Sequence, residues 1–191
     1  HDALPIWACL DAQAWRAAGL GELRVAVNVS PLQFRRDDIE REVARALSAS
    51  GLPAEALELE LTESLLVADA RNIGDVLQRL GSQGVQIAID DFGTGYSNLG
   101  YLRRFSVHRL KIDQSFVRRM CANPHDEGLV RAIIEMAHCL DLQTVAEGVE
   151  DVETLERLHA FGCEFGQGFL WSPALPDGEF VAFVRASRSA A

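Results

Sequence analysis

No run in this 191-residue chain approaches the roughly 18 consecutive apolar residues that a membrane-spanning helix needs. No signal-peptide pattern is visible at its start. Basic charge is short: 18 Lys and Arg stand against 28 Asp and Glu, a net charge of −10. That balance excludes a broad surface for polymeric nucleic acid or anionic membrane, because both need a basic patch. It leaves room for a small anionic ligand, since a bound cation inverts the local field. Paired cysteines are also lacking. Cys9, Cys121, Cys139 and Cys163 are scattered with no C-x-x-C spacing, which predicts reduced thiols in a cytoplasmic protein. His1, His108, His125, His138 and His159 show no metal-ligand spacing and read as structural or surface residues. Neither G-x-G-x-x-G nor G-x-x-x-x-G-K-[ST] opens a helix, so dinucleotide and P-loop sites are weak readings.

What is present is an ordinary globular composition, 48% hydrophobic and 24% charged, enough for one domain with a large core. Two patterns alternate along it. Short apolar runs read as buried strands: Leu23–Val29, Leu57–Leu61, Val85–Ile89, Arg109–Ile112, Thr144–Ala146 and, most weakly, Glu164–Leu170. Between them lie helical stripes: Ile39, Val43, Ala46 and Leu47; Ile73, Val76, Leu77 and Leu80; Leu129, Ile133, Met136, Ala137 and Leu140; Val152, Leu155, Leu158 and His159. A further helix over Ala8–Ala18 stops at Gly19, and a tail helix covers about Asp177–Arg185. Gly51, Gly81 or Gly84, and Gly162 mark helix ends, and Asp126 is a candidate cap for the helix from Glu127. Strand–helix alternation predicts an α/β fold with a parallel sheet, either open and doubly wound or part of an eight-stranded barrel.

Every predicted strand ends on a polar group. In order these are Asn28; Glu60, with Glu63 beyond it; Asp90 and Asp91; Lys111 and Asp113; Glu147 and Glu150; and Gln167. A single carboxylate in such a place is usually a helix cap or a solvated loop residue. Six strands in succession suggest the C-terminal face at which barrel enzymes build their sites. Asn28 and Glu60 lie within apolar runs, where unpaired burial is costly. Oxygen donors of this kind suit Mg²⁺ or Mn²⁺ rather than zinc. Adjacent Asp90 and Asp91 could each face one of two metals, an arrangement suited to in-line phosphoryl displacement. Lys111 fits as a positive charge near attacking water or phosphate oxygen, or as a salt-bridge partner of the neighbouring carboxylates. Asp91–Ser97 (Asp-Phe-Gly-Thr-Gly-Tyr-Ser) is a glycine-punctuated loop that permits close backbone approach.

Asn28-Val29-Ser30, Glu60-Leu61-Thr62-Glu63, Asp90-Asp91-Phe92-Gly93-Thr94-Gly95, Lys111-Ile112-Asp113, Ala146-Glu147-Gly148-Val149-Glu150 and Gln167-Gly168-Phe169 resemble the EAL-domain cyclic di-GMP phosphodiesterases. The likeness runs in order and with similar spacing from about Ala8 to Phe183. It implies a (β/α)8 TIM-like barrel that hydrolyses cyclic di-GMP to linear pGpG with two Mg²⁺ or Mn²⁺ ions. By the same likeness Asn28, Glu60, Asp90 and Asp91 hold metal. Lys111 and Glu147 orient and activate water, and Gln167 joins that network. Glu63 anchors the loop after Asp91, while Asp113 and Glu150 are supporting residues. A homodimer through 92–102 is implied as well.

The resemblance also predicts a departure. About 60 residues that carry two strands and the Glu-Ala-Leu motif in the family are not found here. Glu55-Ala56-Leu57 spells those letters but only leads into the Glu60 strand. The expected division is a junction over residues 1–7, a partial domain over 8–185 with about six of eight strand–helix units, and a tail over 186–191. Six strands would leave edges exposed and favour aggregation or swapping, and activity is expected to be impaired. A sensory module, a cyclase-like domain or a membrane tether upstream is compatible with this cytoplasmic segment. The competing reading is a non-catalytic domain that binds cyclic di-GMP or a protein partner. A barrel metalloenzyme acting on another phosphoester is a third.

Overall fold

The computed structural model describes residues 4–35, 39–63, 65, 70–95, 99–102 and 105–189. Helix α1 (Leu4–Trp15) runs into a π-type turn, Arg16–Leu20, broken where Gly19 takes φ 79°. There follow β1 (Val25–Asn28), α2 (Pro31–Arg35), α3 (Ile39–Ser50), a 3₁₀ turn (Ala54–Ala56), β2 (Leu57–Thr62), α4 (Ala70–Ser82), β3 (Gln86–Phe92) and α5 (Leu99–Leu102). The chain continues through β4 (Arg109–Ile112), α6 (Gln114–Val117), α7 (Pro124–Cys139), β5 (Gln143–Glu147), α8 (Val152–Ala160), β6 (Phe165–Gln167) and α9 (Asp177–Ser189). All five neighbouring strand pairs are parallel, in the order β1-β2-β3-β4-β5-β6.

The sheet is curled rather than open. In a flat sheet β1 and β6 would lie about 24 Å apart, five spacings of roughly 4.8 Å. Here Leu23 and Arg24, which lead into β1, line one cavity of about 620 Å³ together with Phe165 of β6. On the outside, Trp15 at the end of α1 stacks on Phe180 of α9 with ring centroids 4.5 Å apart, and its indole N–H donates to Asp177. The architecture is therefore six consecutive strands of a (β/α)8-like barrel, with helices outside. Among the described residues β1 and β6 are each paired on one side.

The apolar layer lies between the strands and the outer helices. Leu57, Leu59 and Leu61 of β2, Ile87 and Ile89 of β3 and Leu110 and Ile112 of β4 are fully buried against helical side chains such as Val43, Leu77 and Ile134. The alternate positions point into the barrel and carry its polar groups, Glu58 and Glu60, Gln86 and Asp90, Arg109 and Lys111, among apolar ones such as Ala26, Ala88 and Val145. At its base Glu58, buried, receives Arg109 at 2.8 Å and Arg24 at 3.5 Å, and the Arg109 guanidinium sits 4.4 Å above the Phe165 ring. Glu55 of the Glu-Ala-Leu lookalike lines the basal cavity, at the opposite end of β2 from Glu60.

Several expectations are corrected by the structure. The buried stripe of α7 is Val130, Ile133, Ile134 and Ala137, whereas Leu129 is 37% exposed. Ile133 and Ala137 are buried as expected and Met136 and Leu140 pack against the core, so Leu129 alone leaves the expected stripe and Val130 and Ile134 join it. On α8, Thr154 and Leu158 face inward while Val152 and His159 face solvent. Thr154 can be buried because its hydroxyl bonds Asp151, the N-cap. Asp126 does not cap α7. Asn123 does, accepting from the His125 N–H at 3.0 Å, with Pro124 at the first turn. The last helix continues to Ser189, beyond the expected end at Arg185, so the proposed tail is largely helical. The four cysteines are free thiols. Among the described residues no helix is long and apolar enough to cross a membrane.

Candidate active site

The strand termini converge on Lys111. Its Nζ lies 2.8 Å from Glu60 Oε1 of β2, 2.9 Å from Asp90 Oδ1 of β3 and 2.7 Å from Glu147 Oε1 of β5. One amine therefore joins four successive strands. Lys111 is also the single lysine of the chain; the other 17 basic residues are arginine. That asymmetry was readable from the sequence and points to a place where a compact ammonium is needed and a forked guanidinium does not fit.

Adjacent residues of a strand normally point to opposite faces, yet Asp90 and Asp91 both serve this site. The cause is a bulge. Ile89 pairs with Leu110 and Phe92 with Ile112, so Asp90 and Asp91 together oppose Lys111. Asp91 adopts φ 54°, a left-handed backbone that Asp tolerates better than most residues. The bulge brings carboxylate oxygens of Asp90, Asp91 and Glu147 within 4.8 Å of one another. Both carboxylates therefore stand on the same rim.

Burial dominates the electrostatics. It raises the Glu60 and Glu147 carboxyls above their ordinary values, against the lowering pull of Lys111. Asp91 is raised by burial and then by the charges of Asp90 and Asp113. For Lys111 burial alone would favour the neutral amine, but Glu147, Glu60 and Asp90 together outweigh it and hold it firmly protonated. Four carboxylates face one ammonium, and Asp90 Oδ1, although close to Nζ, is buried without a well-directed hydrogen bond. Excess negative charge, an under-satisfied buried oxygen and an all-oxygen donor set fit a hard divalent cation.

The remaining predicted residues take distinct places. Asn28, exposed at the end of β1, is the register partner of Glu60. Gln167, exposed on β6, is the register partner of Glu147. Glu63 is buried and its Oε2 accepts the Gly93 N–H at 3.3 Å, tying the end of β2 to the loop after Asp91. Asp113 caps α6 through the Ser115 N–H at 2.9 Å. Glu150 pairs with Arg118 at 2.7 Å on the surface, one step removed from the cluster. Of the expected 92–102 interface, Phe92 and Leu102 are buried and 96–98 lie outside the described residues.

Residues 6–174 match the EAL domain family. This chain belongs to that family. It is 43% identical over 191 residues to the cyclic di-GMP phosphodiesterase NbdA of Pseudomonas aeruginosa, covering 98% of this chain and 24% of NbdA. With the signaling protein YkoW of Bacillus subtilis the identity is 41%, over 93% of this chain and 22% of YkoW. The chain thus spans about a quarter of the length of these curated relatives. Among solved structures, a cyclic di-GMP complex of the MucR phosphodiesterase of Pseudomonas aeruginosa superposes with a TM-score of 0.90 at 37% identity, covering 94% of this chain and 72% of that one. The EAL domain of Mycobacterium smegmatis DcpA gives 0.89 at 41%, covering 95% and 82%. A manganese and cyclic di-GMP complex of Klebsiella pneumoniae BlrP1 gives 0.78 at 30%, covering 90% and 44%. Within this EAL domain Glu60, Asp90 and Glu147, from three of the six sequence motifs, are the groups that contact Lys111.

Proposed function

We propose that the site of this chain is built to hydrolyse cyclic di-GMP to linear pGpG by a two-metal mechanism in the cytoplasm, with turnover impaired in the chain as it stands. The observation that carries the reading is the convergence of Glu60, Asp90 and Glu147 on Lys111, with Asp91 turned into the same rim by the bulge. Relatives named as cyclic di-GMP phosphodiesterases, and EAL structures holding cyclic di-GMP with manganese or calcium, support it.

Asn28, Glu60, Asp90 and Asp91 would hold Mg²⁺ or Mn²⁺. When bound, these ions supply charge neutralisation of the phosphate and a lowered pKa for water. Glu147 takes the proton of the attacking water, for which a carboxyl lifted by burial is better suited than a free one. Lys111 holds Glu147 in place and sets a fixed positive charge beside the reacting phosphate. Gln167, next to Glu147 across the sheet, orients the water. The water oxygen bonds to phosphorus, the bond to the 3′-oxygen breaks, and that oxygen takes a proton from solvent. Glu63 keeps the loop after Asp91 in register with β2. Homodimerisation through 92–102 belongs to the same proposal.

The test is turnover. The purified chain is incubated with cyclic di-GMP and Mn²⁺ and pGpG is followed by chromatography, beside Glu60→Ala. Product from the wild type alone supports the reading. Tight binding of cyclic di-GMP without product, under the same conditions, would favour the non-catalytic binding domain instead.

A further inference from the structure

The turns that follow β5 and β6 are interlaced through their backbones. The Val149 N–H donates to the Gln167 carbonyl at 3.1 Å, and the Val149 carbonyl accepts from the Leu170 N–H at 3.0 Å. Gly168 sits inside this ring: a Cβ there would overlap the carbonyl oxygen and the nitrogen of Val149. On the other side of the turn, Gly148 has φ 68°, and a Cβ on it would meet Gln114 Cβ at 2.6 Å, on the helix that follows β4. The side chain of Val149 is fully buried and pins the turn from below. Three consecutive strand ends are thereby locked at van der Waals distance. They are the ends that carry Lys111, Glu147 and Gln167.

We propose that Gly148 and Gly168 are positioning residues, whose missing side chains let the turns after β5 and β6 close on each other and on α6, and so set the 2.7 Å contact of Glu147 with Lys111. They touch no reacting group. A side chain at either position would push the backbone next to Glu147 or Gln167 outward, and a displacement of about 1 Å at a reacting group costs on the order of 100-fold in rate. The kinetic part of this inference rests on the function proposed above; the geometric part does not.

Because Lys111 is the single lysine, protein labelled with ε-¹⁵N lysine gives one ammonium resonance, which reports its contacts directly without metal or substrate. Wild type, Gly148→Ala and Gly148→Ala with Gln114→Gly are compared by that resonance and by kcat and KM for cyclic di-GMP. The second change removes the Gln114 Cβ, the closest atom the new alanine meets, and leaves the Arg118 Nε at 3.1 Å, which belongs to a long, partly exposed side chain. Gly148→Ala is expected to shift the resonance and lower kcat by roughly 10- to 100-fold, with KM within about twofold of wild type. The double variant is expected to move both back toward wild type, less the left-handed alanine strain that the two variants share. The proposal is overturned if folded Gly148→Ala keeps the wild-type resonance, whatever its rate, or if the double variant regains thermal stability without regaining the resonance. Should Gly148→Ala alone fail to fold, the double variant decides between these outcomes. A wild type without turnover would refute the function proposed above and leave the resonance to decide this one.

Discussion

Replacing Lys111 by methionine keeps most of the side-chain volume and removes the charge. Glu60, Asp90 and Glu147 then face one another with their side chains at most 17% exposed and no ammonium between them. Removing one partner of a buried ion pair costs about 3–5 kcal/mol. A chain of this size loses roughly 2–4 °C in Tm per kcal/mol, so a fall of roughly 6–20 °C is expected at pH 8 in chelator. The pH dependence has a definite sign. Glu60 and Glu147 already have folded pKa values raised above their unfolded ones by burial. Raised carboxyls favour the folded state below the unfolded pKa, and that advantage is lost as pH rises through the folded pKa. Without Lys111 the rise is larger. The stability gap between wild type and Lys111→Met therefore widens as pH climbs out of the carboxylate range and narrows in acid. Thermal or urea unfolding at pH 5 and pH 8 measures it. A variant as stable as wild type at pH 8, or a gap that grows toward acid, would refute the electrostatic account of the cluster.

Three other outcomes follow from the same geometry. Mn²⁺ at 100 times its dissociation constant adds about 2.7 kcal/mol of stability, so Tm rises by roughly 5–11 °C; Asp90→Asn should abolish most of the rise in a thermal scan. Glu63→Ala removes the acceptor of the Gly93 N–H and should cost about 1–3 kcal/mol in urea unfolding, with turnover falling further than stability explains. Glu164, exposed on the surface, accepts both the N–H and the hydroxyl of Thr144, at 2.8 and 2.6 Å, and these bonds prevail over desolvation to lower its pKa. Its contribution is present above the unfolded pKa and lost as pH falls through the folded one, so Glu164→Gln should differ from wild type in Tm at pH 7 and converge with it in acid.

Much of the fold was legible because β2, β3 and β4 are apolar on the face that meets the helices; the C-terminal ends of β1, β2, β4 and β5 fell within a residue of expectation, while β3 runs three residues past Ile89 to Phe92 and β6 stops at Gln167, three short of Leu170. The edge of the buried stripe of α7 was not legible, since in Leu129-Val130 either apolar residue could face the core. Of the cluster, Glu60, Asp90, Asp91, Lys111 and Glu147 could be picked out as strand-end polar groups, and their grouping could not. Strand periodicity sends Asp90 and Asp91 to opposite sides; only the bulge against Lys111 reverses that. Lys111 had two readings, a charge near water or a salt-bridge partner. Its three contacts establish the second, and the first is part of the proposed mechanism. Glu58 with Arg24 and Arg109 was missed, because a buried carboxylate at the start of a strand looks like a solvated one until a partner two strands away is known.

The central claim is that the carboxylates around Lys111 form a divalent-cation site. The direct measurement is the single lysine ammonium resonance of ε-¹⁵N-labelled protein during titration with Mg²⁺ and then with paramagnetic Mn²⁺. The account predicts a saturable shift with Mg²⁺ and loss of the signal by broadening at substoichiometric Mn²⁺, both absent in Asp90→Asn. A resonance that neither ion moves nor broadens would place any bound cation away from Lys111 and contradict the account.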